Sequence, residues 1–330
     1  MTMQTPVLRR SAKVSHRDGA VVIQHLDEEI ILEGAGARLL DRMLPLLDGK
    51  NAMEQIAARV EEPVARVRGL AESPRKAGVV SFIGEGGTMT GREFYDVHHR
   101  LVRHWLRPVY EHPLWDKITN GTATRAQVIG FAFEKYHYIE GAYEHMGIAA
   151  ANATREMMPH LARHYIEEYN HGDIYRKGLQ SIFPDDLILR AQPLPTTRAL
   201  INFLTETAQR SSFAYYSGNE VLQMTENTSN DKVSTSIDDW YDAMRKHYPW
   251  SKLIVNSFIA HTHADQKLGH ENVFLEMCES VPPLTRAEVT DALNVAKQMV
   301  DHLMLFMDGI DIHYATHPEV PRLPCDLLSE

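Results

Sequence analysis

Cysteine is scarce in this 330-residue sequence: Cys278 and Cys325 are the only two, and they form no motif. That excludes a disulfide framework and a thiolate set of the kind that holds structural zinc. Positive charge is in deficit as well. Against 44 Asp and Glu stand 34 Lys and Arg, a net charge of −10, which argues against a nucleic-acid surface. No apolar run approaches the roughly 20 residues that a membrane span needs. The start MTMQTPVLRR carries neither an apolar stretch nor a cleavage site, so no secretory signal is read there. The expectation is a cytoplasmic protein with no nucleic-acid and no membrane partner.

What is present divides into two patterns. Residues 1–85 begin with VLRRSAKVSH, RDGAVVIQHL and EEIILEG, β-branched runs around an Asp18-Gly19 turn that predict two or three strands. ARLLDRMLPLLDG, NAMEQIAARV and PVARVRGLAESPRKAGVV follow as helices, the third with a break expected near Pro74. Strands AVVIQHL and EEIILEG are expected to pair and leave one edge open. The glycine-rich segment 86–91 reads as a linker, because no Lys-Ser/Thr follows to make a phosphate loop. Residues 92–330 read as long helical segments. The fold class is therefore mainly α: a helical bundle preceded by a small α+β winged-helix-like domain.

The helical part carries scattered carboxylates and imidazoles. Glu168 and His171 stand at i, i+3 in HYIEEYNHGD. Glu220 is a lone carboxylate further on, and FIAHTHADQKLGH holds His261, His263, Asp265, Lys267 and His270. Spacings of three, four or seven share a helix face. Glu-x-x-His on facing helices is how carboxylate-bridged metal pairs are held in bundles. A rival cluster, His137, Glu140 and Glu144, shares one face of GFAFEKYHYIEGAYEHMG and supplies either a further Glu ligand or groups that touch substrate. The aromatics Tyr136, Tyr138, Phe213, Tyr215 and Tyr216 read as core.

Two resemblances give these patterns a context. EEIILEGAGARLLDRMLPLLDGKNAMEQIAARV with AGVV resembles the RiPP recognition element, the small peptide-binding domain of ribosomal-peptide pathways, as in the peptide chaperone of pyrroloquinoline quinone biosynthesis. That implies a precursor or carrier peptide bound as an added β-strand. GFAFEKYHYIEGAYEHMGIAAANATREMMPHLARHYIEEYNHGD, LPTTRALINFL, KHYPW and AKQMVDHLMLFMDGI resemble the heme-oxygenase-like superfamily, nearest to pyrroloquinoline quinone synthase. Where the synthase has a Gln and a Lys, this chain has Ile139 and His145. The remaining pattern resembles the heme-oxygenase-like dimetal oxidases, which use Glu and His on early helices, a second Glu, and a late His-x-x-x-Asp-x-x-His.

On that resemblance His171 is the early histidine with Glu168 beside it, and Glu220 is the lone carboxylate. The late motif fits two registers. In one, His261 and Asp265 match and Leu268 holds the last position. In the other, His263 and His270 match and Lys267 takes the Asp position; the Gly-His order at His270 favours this second register. The resemblance implies one or two Fe(II) ions, with Mn as an alternative, and O2 as co-substrate. The function expected is a non-heme iron oxidase or oxygenase modifying a peptide or a peptide-carried amino acid; a homodimer is compatible with it. The alternatives are a cofactorless quinone-synthase-like oxidase and a non-catalytic peptide-binding adaptor.

Overall fold

The structure, a computed structural model, describes residues 5–84, 87–227, 237–268 and 273–324. Two compact units emerge. Unit 1 takes the chain up to His104 together with Cys278–Thr290; unit 2 takes Trp105–Met277 and the chain from Asp291.

Unit 1 opens with β1 (Thr5–Leu8), β2 (Lys13–Arg17), β3 (Ala20–His25) and β4 (Glu28–Leu32). Asp18 at φ +52° and Gly19 at φ +80° form the two-residue turn between β2 and β3, the positive-φ pair that matches the twist of a tight hairpin. The strands make an antiparallel sheet in the order β2-β3-β4, with AVVIQH paired to EEIIL as the sequence predicts. β3 is central and buries Val21, Val22 and Ile23; β2 is an edge strand with all five residues exposed. Helices α1 (Gly34–Met43), α2 (Met53–Arg59) and α3 (Val64–Lys76) follow, then β5 (Val80–Ile83), which pairs antiparallel with β1. The core joins Val21, Ile23 and Ile30 to Leu39, Leu40, Met43, Ile56 and Val67. α3 runs through Pro74 without the expected break. Pro74 sits two residues before the helix end, and the bond its N–H would make to the carbonyl of Leu70 is given up without ending the helix.

α4 (Gly91–Trp105) belongs to unit 1 up to His104, so the division falls at that residue rather than in the glycine-rich segment. Two contacts explain this. His104 Nδ1 lies 2.9 Å from Asp27 Oδ2, and Arg100 packs against Gly78 so closely that a Cβ there would collide with its guanidinium. Met89 and Leu284 exchange two backbone hydrogen bonds of 2.8 and 2.7 Å, which ties residues 278–290 to the same unit.

Unit 2 is helical: α5 (Arg107–Tyr110), α6 (Pro113–Thr119), α7 (Arg125–Glu140), α8 (Ala142–Ala151), α9 (Met158–Glu168), α10 (Gly172–Leu179), α11 (Asp185–Arg190), α12 (Pro195–Arg210), α13 (Ser212–Asn227), α14 (Ile237–His247), α15 (Lys252–Leu268), and the greater part of α16 (Val273–Ser280) and α17 (Arg286–Thr316), whose residues within 278–290 count with unit 1. Several segments that look continuous in sequence are broken, at Gly141, at Tyr169–His171 and at Ser211. Small residues let helices approach: Gly130 of α7 against Tyr314, Gly218 of α13 against Val295, and Gly309 against Thr196 of α12. Tyr314 and Val295 both lie on α17, which therefore runs through the core.

Among the described residues, no helix is long and apolar enough to cross a membrane.

Candidate metal centre

The site begins with a helix break. Glu168 is the last residue of α9, and His171 occupies the position just before α10. The turn between them stays in the right-handed region and is closed by His171 N–H donating to Glu168 O at 3.0 Å. Glu168 and His171 therefore face the interior together although they do not share a helix. His171 Nδ1 lies 2.8 Å from Glu168 Oε2.

α10 then packs antiparallel against α15. Gly178 lies on Ile254 and Ser257, and three residues back along α10 Tyr175 meets Phe258 and His261. At the start of α10 His171 meets His261, their ring centroids 5.0 Å apart. A side chain at Gly178 would collide with Ser257, so the close approach that brings the two histidines together depends on that glycine.

Glu168, His171 and His261 each offer one ligand atom, and these atoms all lie within 4.8 Å of one another. Their exposures are 6, 5 and 3%. Burying a carboxylate and two imidazoles is costly unless hydrogen bonds, ion pairs or a cation compensate. Two histidines and one carboxylate are a donor set that suits non-heme Fe(II).

A layer of buried polar groups surrounds the three. His164, one turn before Glu168 on α9, places Nε2 3.7 Å from Glu168 Oε1. Its Nδ1 is 2.6 Å from Tyr216 Oη on α13. His145 of α8 places Nδ1 2.7 Å from Tyr215 Oη. Burial first, then the charge of His164, pushes the His145 pKa down to about 3, so His145 is neutral. Glu220 is 2% exposed and sits near Tyr216. The Tyr216 phenol is raised well above its ordinary pKa by burial first, then by Glu220, Tyr215 and Glu168, and stays protonated.

Against the sequence reading, the structure brings Glu168, His171 and His261 together and buries Glu220 near Tyr216. It does not bring in His263, which is exposed two residues, about 200° of helical turn, from His261. Of the two registers, His261 of the first therefore lies with Glu168 and His171, while His263 of the second, which the Gly-His order favours, does not. The expectations for Asp265, Lys267 and His270 lie outside the described residues: no side chain is described over 265–268, and 269–272 are not described at all. Among the described residues, the rival cluster is not a group whose ligand atoms converge. Glu140 and Glu144 are exposed, Glu140 over Gly172 and Glu144 beside the Tyr143 hydroxyl at 3.1 Å. His137 packs against Phe133 and Tyr136 near Arg198. The α7 helix stops at Gly141, so the three residues lose the common face that a continuous helix would give them.

His164, Tyr216 and His145 were not singled out as site residues. His164 did carry a signal, standing four residues before Glu168 and seven before His171. Tyr215 and Tyr216 are core in their burial, as read, but their hydroxyls reach the histidines.

Residues 98–265, just over half the chain, match the model of the TENA/THI-4/PQQC family. Among solved structures, a domain of unknown function with a heme oxygenase-like fold from Shewanella denitrificans superposes with a TM-score of 0.53 at 19% identity, over 70% of this chain and 98% of that one. A TenA homologue from Pyrococcus furiosus gives 0.49 at 13% identity, over 66% and 99%. Another, from Pseudomonas syringae, gives 0.49 at 12%, over 64% and 92%. No curated protein matches the chain. The helical part has the heme-oxygenase-like fold.

Proposed function

The chain belongs to the TENA/THI-4/PQQC family, and from its buried Glu168–His171–His261 cluster we propose that it is a non-heme, metal-dependent oxidase or oxygenase. The observation that carries this is the convergence of three buried ligand atoms from three helical segments within 4.8 Å. Glu168, His171 and His261 would hold the ion, with His164 close enough to Glu168 to orient it, and Glu220, buried near Tyr216, is the candidate ligand for a second ion. Fe(II), or Mn in its place, would supply electrons to dioxygen. The protein's own groups do the rest. Glu168 neutralises positive charge, Tyr216 fixes the ring of His164, and the burial of all three ligand residues keeps bulk water from the cluster.

The cofactorless reading is less well supported. A quinone synthase has a Lys at the position that resembles His145, but His145 is neutral, fully buried and hydrogen-bonded to Tyr215. It cannot stand in for a cation there.

The substrate class proposed is a peptide or a peptide-carried amino acid. Support comes from the exposed edge strand β2, whose outer backbone groups can pair with an added strand. The test is oxygen uptake by the full chain, reconstituted anaerobically with Fe(II) and offered a set of short synthetic peptides. Uptake that depends on both iron and peptide is expected. Undiminished uptake by chelator-treated protein would overturn the metal role.

A further inference from the structure

In unit 1 two arginines reach one short piece of backbone, and among the described residues no carboxylate pairs with either guanidinium. β1 ends at Leu8, and its pairing with β5 is continued by one bond, Arg9 N–H to Val79 O at 2.9 Å. The residue before Val79 is Gly78, at φ +69°, and the guanidinium of Arg100 from α4 lies against it where a Cβ would collide. Strand and helix thus bring Arg9 and Arg100 to one short piece of backbone, 78–79. Beside them is His25, 3% exposed, with Nδ1 3.2 Å from Ser11 Oγ.

Three carboxylates of unit 1 are engaged elsewhere, and a fourth, Glu28, is exposed. Glu72 makes two hydrogen bonds to Arg75 at 2.9 and 2.8 Å, Asp27 holds His104 at 2.9 Å, and Asp96 pairs with Arg92 at 3.3 Å. Among the described residues, Arg100 makes one side-chain hydrogen bond, from Nη2 to the Asp96 carbonyl at 3.4 Å, and the Arg9 guanidinium makes none. Both arginine pKa values are lowered, first by burial; the charge of Arg100 also lowers Arg9, while Asp96 and Glu28 partly offset the effect on Arg100. His25 is lowered by burial, then by Arg9, Arg100 and His104. A guanidinium remains charged at any working pH. Two partly buried like charges are costly until a counter-ion joins them, and the planar fork of arginine matches a carboxylate.

We propose that Arg9 and Arg100, with His25 beside them, form a carboxylate-binding site that takes an Asp or Glu side chain of a peptide held by unit 1. This rests on the peptide-binding reading above. It makes an acidic peptide the partner and places recognition of its charge at the β1–α4 contact rather than at the β2 edge alone.

The test uses the full chain and four small probes at matched ionic strength: N-acetylglutamate N-methylamide, its glutamine counterpart, N-acetylalanine and inorganic phosphate. The glutamate compound is expected to raise the melting temperature and the glutamine compound to leave it unchanged. Arg9→Gln with Arg100→Gln should abolish the rise. Arg9→Lys with Arg100→Lys, which keeps the charge and guards against misfolding, should weaken apparent affinity about tenfold because the fork is lost. Without probe, the Gln pair should melt no lower than the parent, since a buried repulsion is removed; a purely structural role would lower it. Equal responses to the glutamate and glutamine compounds, a response that survives both Arg→Gln changes, or a response confined to N-acetylalanine or phosphate would overturn the proposal. Failure of the peptide reading looks different. Carboxylate binding without affinity for any peptide would leave the site and remove the peptide, whereas peptides bound equally by parent and Gln pair would leave the peptide and remove the site.

Discussion

Tyr216 Oη lies 2.6 Å from Nδ1 of His164, while His164 Nε2 lies 3.7 Å from Glu168 Oε1. The Gln223 amide nitrogen is 3.4 Å from that same Nε2. The tyrosine and the amide thus hold the His164 ring between them, with Nε2 turned toward Glu168. Tyr216 therefore sets which face of His164 the carboxylate meets. Tyr216→Phe removes that constraint while keeping the ring. Affinity for Fe(II) or Mn(II), measured anaerobically by competition with a chelator, is expected to fall about tenfold or more, the usual effect of losing a group that orients a ligand. Unchanged affinity would show that Tyr216 serves packing alone.

Acid sensitivity should trace in part to His137. Burial first, and Arg198 second, push its pKa down to about 4. In the unfolded chain it titrates near 6.5. Between those values the unfolded state binds the proton and the folded state does not, so stability falls as pH drops from about 6.5 to about 4. His137→Gln should flatten that part of the profile, by up to about 3 kcal/mol at pH 4. Urea melts of both proteins at pH 7 and pH 4.5 check this; parallel pH dependences would remove His137 from the account.

Glu134 is fully buried on α7. It accepts from Tyr314 Oη at 2.7 Å and from Leu194 N at 3.0 Å, and burial raises its pKa. Tyr314→Phe leaves Glu134 Oε1 without its donor and should cost about 1–3 kcal/mol by chemical denaturation. Glu134→Gln in the Tyr314→Phe background should recover part of the loss, because it removes the charge. An unaltered midpoint in the single variant would contradict this.

The fold was largely legible because helical periodicity and the Asp18-Gly19 turn are local signals. The Glu168–His171 pair was legible by spacing, but the break between α9 and α10 was not, because the periodic pattern runs through it. The choice between His261 and His263 could not be made from the sequence. It depends on the antiparallel packing of α10 on α15 around Gly178, a contact between segments some 80 residues apart. The same holds for Glu140 and Glu144, whose shared face vanishes once the chain turns at Gly141. Tyr215 and Tyr216 were recognised as buried, yet what their hydroxyls touch is decided by α8 and α9. Unit 1 extends through α4 for a similar reason: Arg100 on Gly78 and His104 on Asp27 are tertiary contacts that no composition shift announces.

The most direct measurement is metal content after anaerobic reconstitution with Fe(II), for the parent, His261→Ala and His263→Ala. The parent should retain at least one ion per chain after desalting, His263→Ala should match it, and His261→Ala should lose most of it while keeping its helical circular dichroism. A parent that retains no Fe(II) or Mn(II), or equal retention by all three proteins, would contradict the assignment of Glu168, His171 and His261 as a metal centre.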